Sequence, residues 1–229
     1  MLPSLLFIQP FVAFQANMPT LAPVPVNLAS RTFSLNHRYE NAFVNEVFKD
    51  NILLTLGYMK GEVKTKDQIV WDNVQKPFHY EFLLKPGEGF AFHDKILPEY
   101  AKKVVRTTNA HFNYQDGFKS DGYLTGDGVC HLASLIYWVA KDAGLETYAT
   151  ANHNFAVIPD VPKEYGVSIY ARADTGEGAY SNLYIVNNKQ KPIKFVFDYS
   201  EDGNLSVSVR ENNSFYLQDL YFSPTISYS

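Results

Sequence analysis

The strongest constraint on the fold comes from a helix-forming pattern over residues 129–143. Apolar side chains recur at helical spacing and Gly144 follows as a stop signal; the apolar positions are Leu132, Leu135, Ile136, Val139 and Ala143. After Gly144 the pattern changes to short runs rich in β-branched and aromatic residues, which are typical of strands. We therefore predict an α+β fold in which one central helix packs on a mostly antiparallel β-sheet.

Further elements are predicted on both sides of this helix. A strand is predicted at 78–84, a hairpin or meander over 51–58 and 63–74, and a short helix over 98–106, where proline precedes basic residues. The strands after the helix are predicted at 146–151, 155–158, 166–171, 182–186, 193–198, 205–209 and 215–222. This pattern divides the chain into an apolar leader and linker, a β-rich extension and an α+β domain, at residues 1–30, 31–77 and 78–229.

Composition excludes several classes of function. The 229 residues include 20 Lys and Arg against 24 Asp and Glu, so no basic excess is available to bind a nucleic-acid backbone. One cysteine excludes an internal disulfide, a multi-cysteine zinc site and an iron–sulfur cluster. The chain also lacks a phosphate-binding loop and a His-Glu-x-x-His motif. We therefore expect neither a metal nor a cofactor, and no nucleic-acid partner.

The first charged side chain is Arg31, so the first 30 residues carry none. The apolar run over residues 5–14 is too short and too rich in proline to span a membrane. It is similar to an incomplete secretory signal, although no basic residue precedes it and Phe14-Gln15-Ala16 is a poor cleavage site. We expect a secreted or cell-envelope protein with peripheral membrane contact through this run. The alternative is a disordered or surface-packed tail.

Candidate chemistry begins at Gly126-Asp127-Gly128, a tight turn into the predicted helix in which Asp127 can cap the first turn. Cys130 then falls in the first helical turn, where free N–H groups and the helix dipole lower the pKa of a thiol. The same N–H groups can form part of an oxyanion hole. We therefore identify Cys130 as a candidate nucleophile. The alternative is that this cysteine is a small buried apolar residue.

A thiol nucleophile needs a base, and His153 is the best-placed of the six histidines. It follows the helix and its glycine turn, so the returning chain brings it alongside the helix start. Asn182 or Asp198, at strand ends, can orient this imidazole, although such residues are more often turn formers. His131 lies about 100° around the helix from the cysteine, so its side chain is expected to point elsewhere than the sulfur, although it can line the same cleft. His153 can equally be a core or edge histidine.

Residues 85–92 read KPGEGFAF, and residues 126–131 read GDGVCH. These segments resemble the P-G-E-x-F-S-F stretch and the G-G-G-V-C-Q motif of the VanW-like family of bacterial envelope proteins. The resemblance continues in order through residues 135–145, 153–154 and 182–188, and in all it covers about residues 78 to 210. His131 stands where the family usually has Gln, and Asn182 where it usually has Asp.

The resemblance implies an envelope protein whose Cys-then-His order is similar to that of papain-like and transglutaminase-like proteins. Transferred by position, Cys130 would be the nucleophile, His153 the base and Asn182 the orienting residue. The predicted substrate site adds Gly128, His131 and Asn154; the predicted substrate is cell-wall peptide. One alternative is a non-catalytic envelope module that binds peptidoglycan or another wall component through its aromatic residues. Another is an accessory domain with an inert cysteine.

Overall fold

The computed structural model describes residues 25–123, 125–170 and 181–211. Residues 1–24 of the predicted leader and linker, and the predicted strand at 215–222, lie outside these residues, whereas residues 26–30 of that predicted linker belong to a strand. The helices are α1 (Ala42–Lys60), α2 (Trp71–Val74) and α3 (Val129–Asp142). The strands are β1 (Val26–Ser34), β2 (Phe78–Leu84), β3 (Gly89–Ala91), β4 (Val104–Arg106), β5 (Glu146–Ala149), β6 (Leu183–Val186), β7 (Ile193–Tyr199) and β8 (Asn204–Glu211).

These strands form two four-stranded sheets. The first has the order β1-β8-β7-β2 and is antiparallel throughout; the second has the order β4-β3-β6-β5, with one parallel pair between β3 and β4. Within the described residues, the first strand is therefore hydrogen-bonded to the last. Alternate side chains of the first sheet point into an aromatic core, in which the rings of Phe82 and Phe195 stack with their centroids 5.2 Å apart.

The predicted central helix is confirmed as α3. It packs against strands of both sheets and against α1, and its buried face includes Leu132, Leu135, Ile136 and Val139. The α+β class with mostly antiparallel pairing is also confirmed. The strands predicted at 78–84, 146–151, 182–186, 193–198 and 205–209 correspond to β2, β5, β6, β7 and β8. The single predicted sheet is replaced by two.

The segment 51–58, predicted as part of a hairpin, is instead the second half of α1. The Asn41 side chain caps this helix by accepting hydrogen bonds from the N–H groups of Phe43 and Val44, at 3.0 and 3.2 Å. Gly61 ends it in the left-handed conformation. Every residue from 50 to 59 is buried, so no polar face marks the helical period in the sequence. The region 31–77 is consequently not β-rich.

Three shorter predictions are also wrong. Residues 98–103 form turns rather than a helix, and the β-branched pair Val104 and Val105 extends into β4 beside β3. Residues 155–158 form no strand; Phe155 and Val157 are exposed on an irregular segment. Of residues 166–170, only Val167 forms a bridge, to Asn152.

Candidate functional site

The site is built around the start of α3, where Gly126 and Gly128 have φ angles of 89° and 96°. L-residues with a side chain rarely adopt these angles. A Cβ atom on Gly128 would lie 2.6 Å from the carbonyl oxygen of Phe48. Glycine at this position therefore allows α1 to pack directly against the turn that precedes Cys130.

The turn is fixed by Asn51, a fully buried residue of α1. Its side-chain oxygen accepts a hydrogen bond from the N–H of Lys119 at 2.8 Å. Its side-chain nitrogen donates to the carbonyl oxygens of Lys119 and Asp127, at 3.0 and 2.9 Å. Asp127 does not cap α3; its carboxylate instead accepts from the N–H of Asp121 at 3.0 Å. Burial is the main reason why the pKa of Asp127 is raised to about 6.

A cavity of about 250 Å³ opens at this turn. It brings together four of the six predicted site residues: Gly128, Cys130, His131 and His153. Asn154 lines an adjacent cavity of about 230 Å³, which also contains His153. The other walls of the first cavity are Tyr39, Phe48, Thr125, Gly126, Asp127, Phe155, Ala156, Val157, Ile169 and Tyr170.

Asn182 does not orient His153. It is fully buried, and its side-chain oxygen accepts hydrogen bonds from the N–H groups of His93 and Leu183, at 3.1 and 2.8 Å. Its side-chain nitrogen donates to the carbonyl oxygens of His93 and Lys95. Asp198, the other orienting candidate, lies 2.6 Å from Nδ1 of His79. Neither candidate bonds to the proposed base.

The carbonyl oxygen of Ala156 orients His153 instead, by accepting a hydrogen bond from its Nδ1 at 3.0 Å. The N–H of His153 donates to the carbonyl oxygen of Gly166 at 3.2 Å. Burial lowers the pKa of this imidazole, so it is neutral at pH 7. A carbonyl three residues along an irregular segment leaves no signal in the sequence, because any residue type supplies it.

The sulfur of Cys130 is held by the main chain of Ile169. The Ile169 N–H donates to the sulfur at 3.4 Å, and the thiol faces the Ile169 carbonyl oxygen at 3.7 Å. One turn along α3, the Ser134 hydroxyl oxygen accepts from the N–H of Val167 at 2.8 Å. Cys130 and Ser134 together therefore attach the 167–169 segment to α3.

This environment opposes activation of the thiol. Although the residue as a whole is half-buried, desolvation raises the pKa of Cys130 to about 11, and the Ile169 N–H only partly offsets this effect. No hydrogen bond joins Cys130 to His153 within residues 25–123, 125–170 and 181–211. The N–H groups of Val129 and His131 already donate to Gly126 and Gly128, so neither is free to stabilise an oxyanion.

His131 is the second imidazole on the cavity, and it is held by residues that precede α1. The Nε of Arg38 donates to Nδ1 of His131 at 3.3 Å, and the Tyr39 hydroxyl lies 3.4 Å from its Nε2. Burial, followed by the Arg38 charge, keeps the pKa of His131 well below its usual value. Arg38 and Tyr39 could not be identified from the sequence, because a buried arginine that supports a histidine 93 positions away has no local pattern.

Two further properties concern only the part of the chain that the structure describes. No group of three or more His, Cys, Asp or Glu side chains is arranged to hold a metal ion. No helix is long and apolar enough to cross a membrane.

A comparison with known protein families identifies the family of this chain. The family described as "VanW like protein" matches residues 79–210, which is more than half of the chain and includes α3, the cavity turn and His153. Neither the curated proteins nor the solved structures contain a match, so no structural relative supports a papain-like or transglutaminase-like core. The chain therefore belongs to the VanW-like family, which is linked to the bacterial cell envelope.

Proposed function

We propose that this VanW-like protein is a non-catalytic envelope module that binds cell-wall peptide in the cavity at the start of α3. The observation that carries the proposal is the state of Cys130. The Cys130 sulfur is hydrogen-bonded to the main chain of Ile169, and the pKa of the thiol is raised. The polar side chains of His131, His153 and Tyr39 line the same cavity. The cysteine is then a wall residue, and the histidines contact the ligand.

The lining of the cavity suits a short peptide. Aromatic rings of Tyr39, Phe48, Phe155 and Tyr170 provide apolar contact, and the imidazoles provide hydrogen bonds. The Phe155 ring contacts His153 with a centroid separation of 4.0 Å and is 70% exposed, so it forms an accessible rim. The cavity volume of about 250 Å³ suits a few peptide atoms rather than a long chain.

A second candidate function is a thiol amidase in which His153 deprotonates Cys130. One observation favours it, because both side chains line the same cavity. The thiolate would attack a peptide carbonyl carbon, the C–N bond would break, and the leaving amine would take the proton from His153. Water would then hydrolyse the thioester, which releases the carboxylic acid and restores the thiol. This function requires the sulfur to leave Ile169 and to acquire a lower pKa than the described structure gives it.

A module that binds cell-wall peptide acts outside the cytoplasmic membrane, in agreement with the signal-like run over residues 5–14. Fractionation of cells that express the full chain tests this location. Recovery with envelope or culture-medium markers supports it, and recovery with cytoplasmic markers contradicts it.

Calorimetric titration with soluble muropeptides from digested cell wall tests the function itself. We expect binding by the full chain and about fivefold weaker binding by Phe155→Ala, because the rim aromatic is lost. Phe43→Ala is the matched control; Phe43 is 59% exposed and lies on α1 outside the cavity lining. Mass spectrometry of the titrated muropeptides separates the two candidates. Unchanged masses support the binding module, cleaved products support the amidase, and absence of binding contradicts both.

A further inference from the structure

The hydrogen-bond partners of His131 fix the position of its proton. An arginine side chain has only donors, so the Arg38 Nε–H, 3.3 Å from Nδ1, requires a lone pair on that nitrogen. Neutral His131 therefore carries its hydrogen on Nε2. Arg38 is itself held in place, because another of its nitrogens donates to the carbonyl oxygen of Pro159 at 2.7 Å.

His153 has the opposite arrangement. A carbonyl oxygen only accepts, so the Ala156 oxygen, 3.0 Å from Nδ1, requires the hydrogen on Nδ1. Nε2 of neutral His153 then carries a lone pair and acts as an acceptor. This Nε2 has no hydrogen-bond partner within the described ranges, where every fully buried side-chain nitrogen and oxygen has one. The atom is therefore accessible at the surface of a cavity that the residue lines.

Nε2 of His131, which carries the hydrogen, lies on the side of the ring that faces this cavity. Tyr39, whose hydroxyl contacts Nε2, lines the cavity. Arg38, which contacts the opposite ring nitrogen, does not line it. The Tyr39 hydroxyl oxygen can accept from this Nε2–H, and the hydroxyl hydrogen can then be donated to a ligand in the cavity. The two imidazoles are 6% and 8% exposed, and their ring centroids are 6.4 Å apart at an interplanar angle of 84°.

We propose that Tyr39, held by His131, and His153 form a complementary donor–acceptor pair that recognises a secondary amide of the bound ligand. The ligand carbonyl oxygen accepts from the Tyr39 hydroxyl, whose oxygen accepts from Nε2–H of His131, and the ligand N–H donates to Nε2 of His153. The inference rests on the proposed peptide binding and names the group that is bound.

The pair also discriminates against related groups. An ester presents two oxygens and no N–H, so its bridging oxygen would face the lone pair of His153 without a hydrogen bond. A carboxylate likewise offers no donor to His153. A bound ligand covers Nε2 of His153, and this acceptor is left without a hydrogen bond when the ligand has no N–H. The pairing therefore selects amides.

Nitrogen-15 NMR of the imidazole rings tests the proton positions without any ligand. At pH 7.5 we expect His131 as the Nε2–H tautomer and His153 as the Nδ1–H tautomer, each assigned by the loss of its signals in His131→Gln or His153→Gln. Identical tautomers, or a protonated ring at either position, would overturn the inference. The proposed peptide binding would be unaffected by that result.

Titration with N-acetyl-alanyl-alanine methylamide and its isosteric ester, in which oxygen replaces the internal N–H, tests the recognition. We expect about fivefold weaker binding of the ester by the wild type, the effect of one lost hydrogen bond, and equal binding of both probes by His153→Ala. His153→Gln restores an acceptor and part of the discrimination. His79→Ala, on β2 outside the cavity, keeps the wild-type ratio.

The outcomes separate the two proposals. Equal affinity of the wild type for amide and ester overturns amide recognition, while muropeptide binding can still stand. Failure to bind either probe or any muropeptide overturns peptide binding and amide recognition together. A preference for the amide that persists undiminished in His153→Ala also overturns the assigned role of His153.

Discussion

The main-chain N–H of Ile169 donates a hydrogen bond to the sulfur of Cys130 at 3.4 Å. This bond and the burial of the thiol have opposite effects on its ionisation, and burial is the larger effect, since the pKa of Cys130 is raised to about 11. The position at the start of α3, which by itself favours a thiolate, does not determine the ionisation of this residue.

Cys130 should consequently react slowly with iodoacetamide. We expect labelling of the native protein at pH 7.5 to be roughly 100-fold slower than labelling of the urea-unfolded chain, because few sulfurs are ionised. The rate should rise through the alkaline range toward pH 11. The unfolded chain is a matched control, since it contains the same single cysteine. Fast labelling that levels off below pH 8 would contradict the binding module and support the amidase.

The raised pKa of Asp127 makes the stability of the protein depend on pH. In the folded protein this pKa is about 6, above the usual value of 3.8. The contribution of protonated Asp127 to the free energy of unfolding is therefore complete below pH 3.8 and is lost as the pH rises through 6. Asp127→Asn cannot ionise but keeps an oxygen that can accept from the N–H of Asp121. Its free energy of unfolding, relative to wild type, should therefore rise by about 1 kcal/mol between pH 4 and pH 7, after allowance for solvent screening.

Urea denaturation at unit steps of pH measures this difference. Asp67→Asn provides the control, because Asp67 is exposed on the short 3₁₀ helix Lys66–Gln68 and does not line the cavity. A difference between Asp127→Asn and wild type that is constant from pH 4 to pH 7 would show that Asp127 ionises normally.

Those parts of the fold with a local periodic pattern were predictable. The α3 pattern is amphipathic, so its period is visible in the sequence, and strands β2, β6, β7 and β8 have apolar runs bounded by turn residues. The buried half of α1 was not predictable in this way. Its residues 50–59 face other protein atoms on all sides, and a continuous apolar run does not distinguish a helix from a strand.

Residues of the candidate site could be identified, but their partners could not. The sequence indicated Gly128, Cys130, His131 and His153, and the structure places all four on one cavity. The groups that set their chemistry are the main chain of Ile169, the carbonyl oxygen of Ala156 and the buried Arg38. Main-chain groups are common to all residue types, so no sequence pattern can reveal which of them a side chain will meet.

Asn51 should be a major determinant of stability, although it lies outside the segment that matches the family. The substitution Asn51→Ala removes three hydrogen bonds. The main-chain N–H and carbonyl of Lys119 each lose the Asn51 side chain as a partner, and so does the carbonyl of Asp127. We expect a loss of about 3 kcal/mol in the free energy of unfolding, measured by urea denaturation.

The control for Asn51 is Asn73→Ala, which removes only an exposed hydrogen bond from Lys76 and should change stability by less than about 0.5 kcal/mol. Muropeptide titration of Asn51→Ala, under conditions where it is folded, should show weaker binding, because the turn at the cavity is released. Equal stability of the two variants would mean that the turn does not depend on α1.

Substitutions at two glycines distinguish the free-energy cost of a left-handed backbone from the cost of a steric clash. Gly87 and Gly128 have φ angles of 80° and 96°, but a Cβ on Gly87 meets nothing within 4 Å, whereas one on Gly128 meets the Phe48 oxygen at 2.6 Å. Gly87→Ala should therefore cost about 1 kcal/mol in the free energy of unfolding, from conformation alone. Gly128→Ala should cost at least about 3 kcal/mol, because α1 must also move away from the turn. Thermal and urea denaturation of both variants measure these costs, and similar losses in the two would show that α1 does not pack tightly against the start of α3.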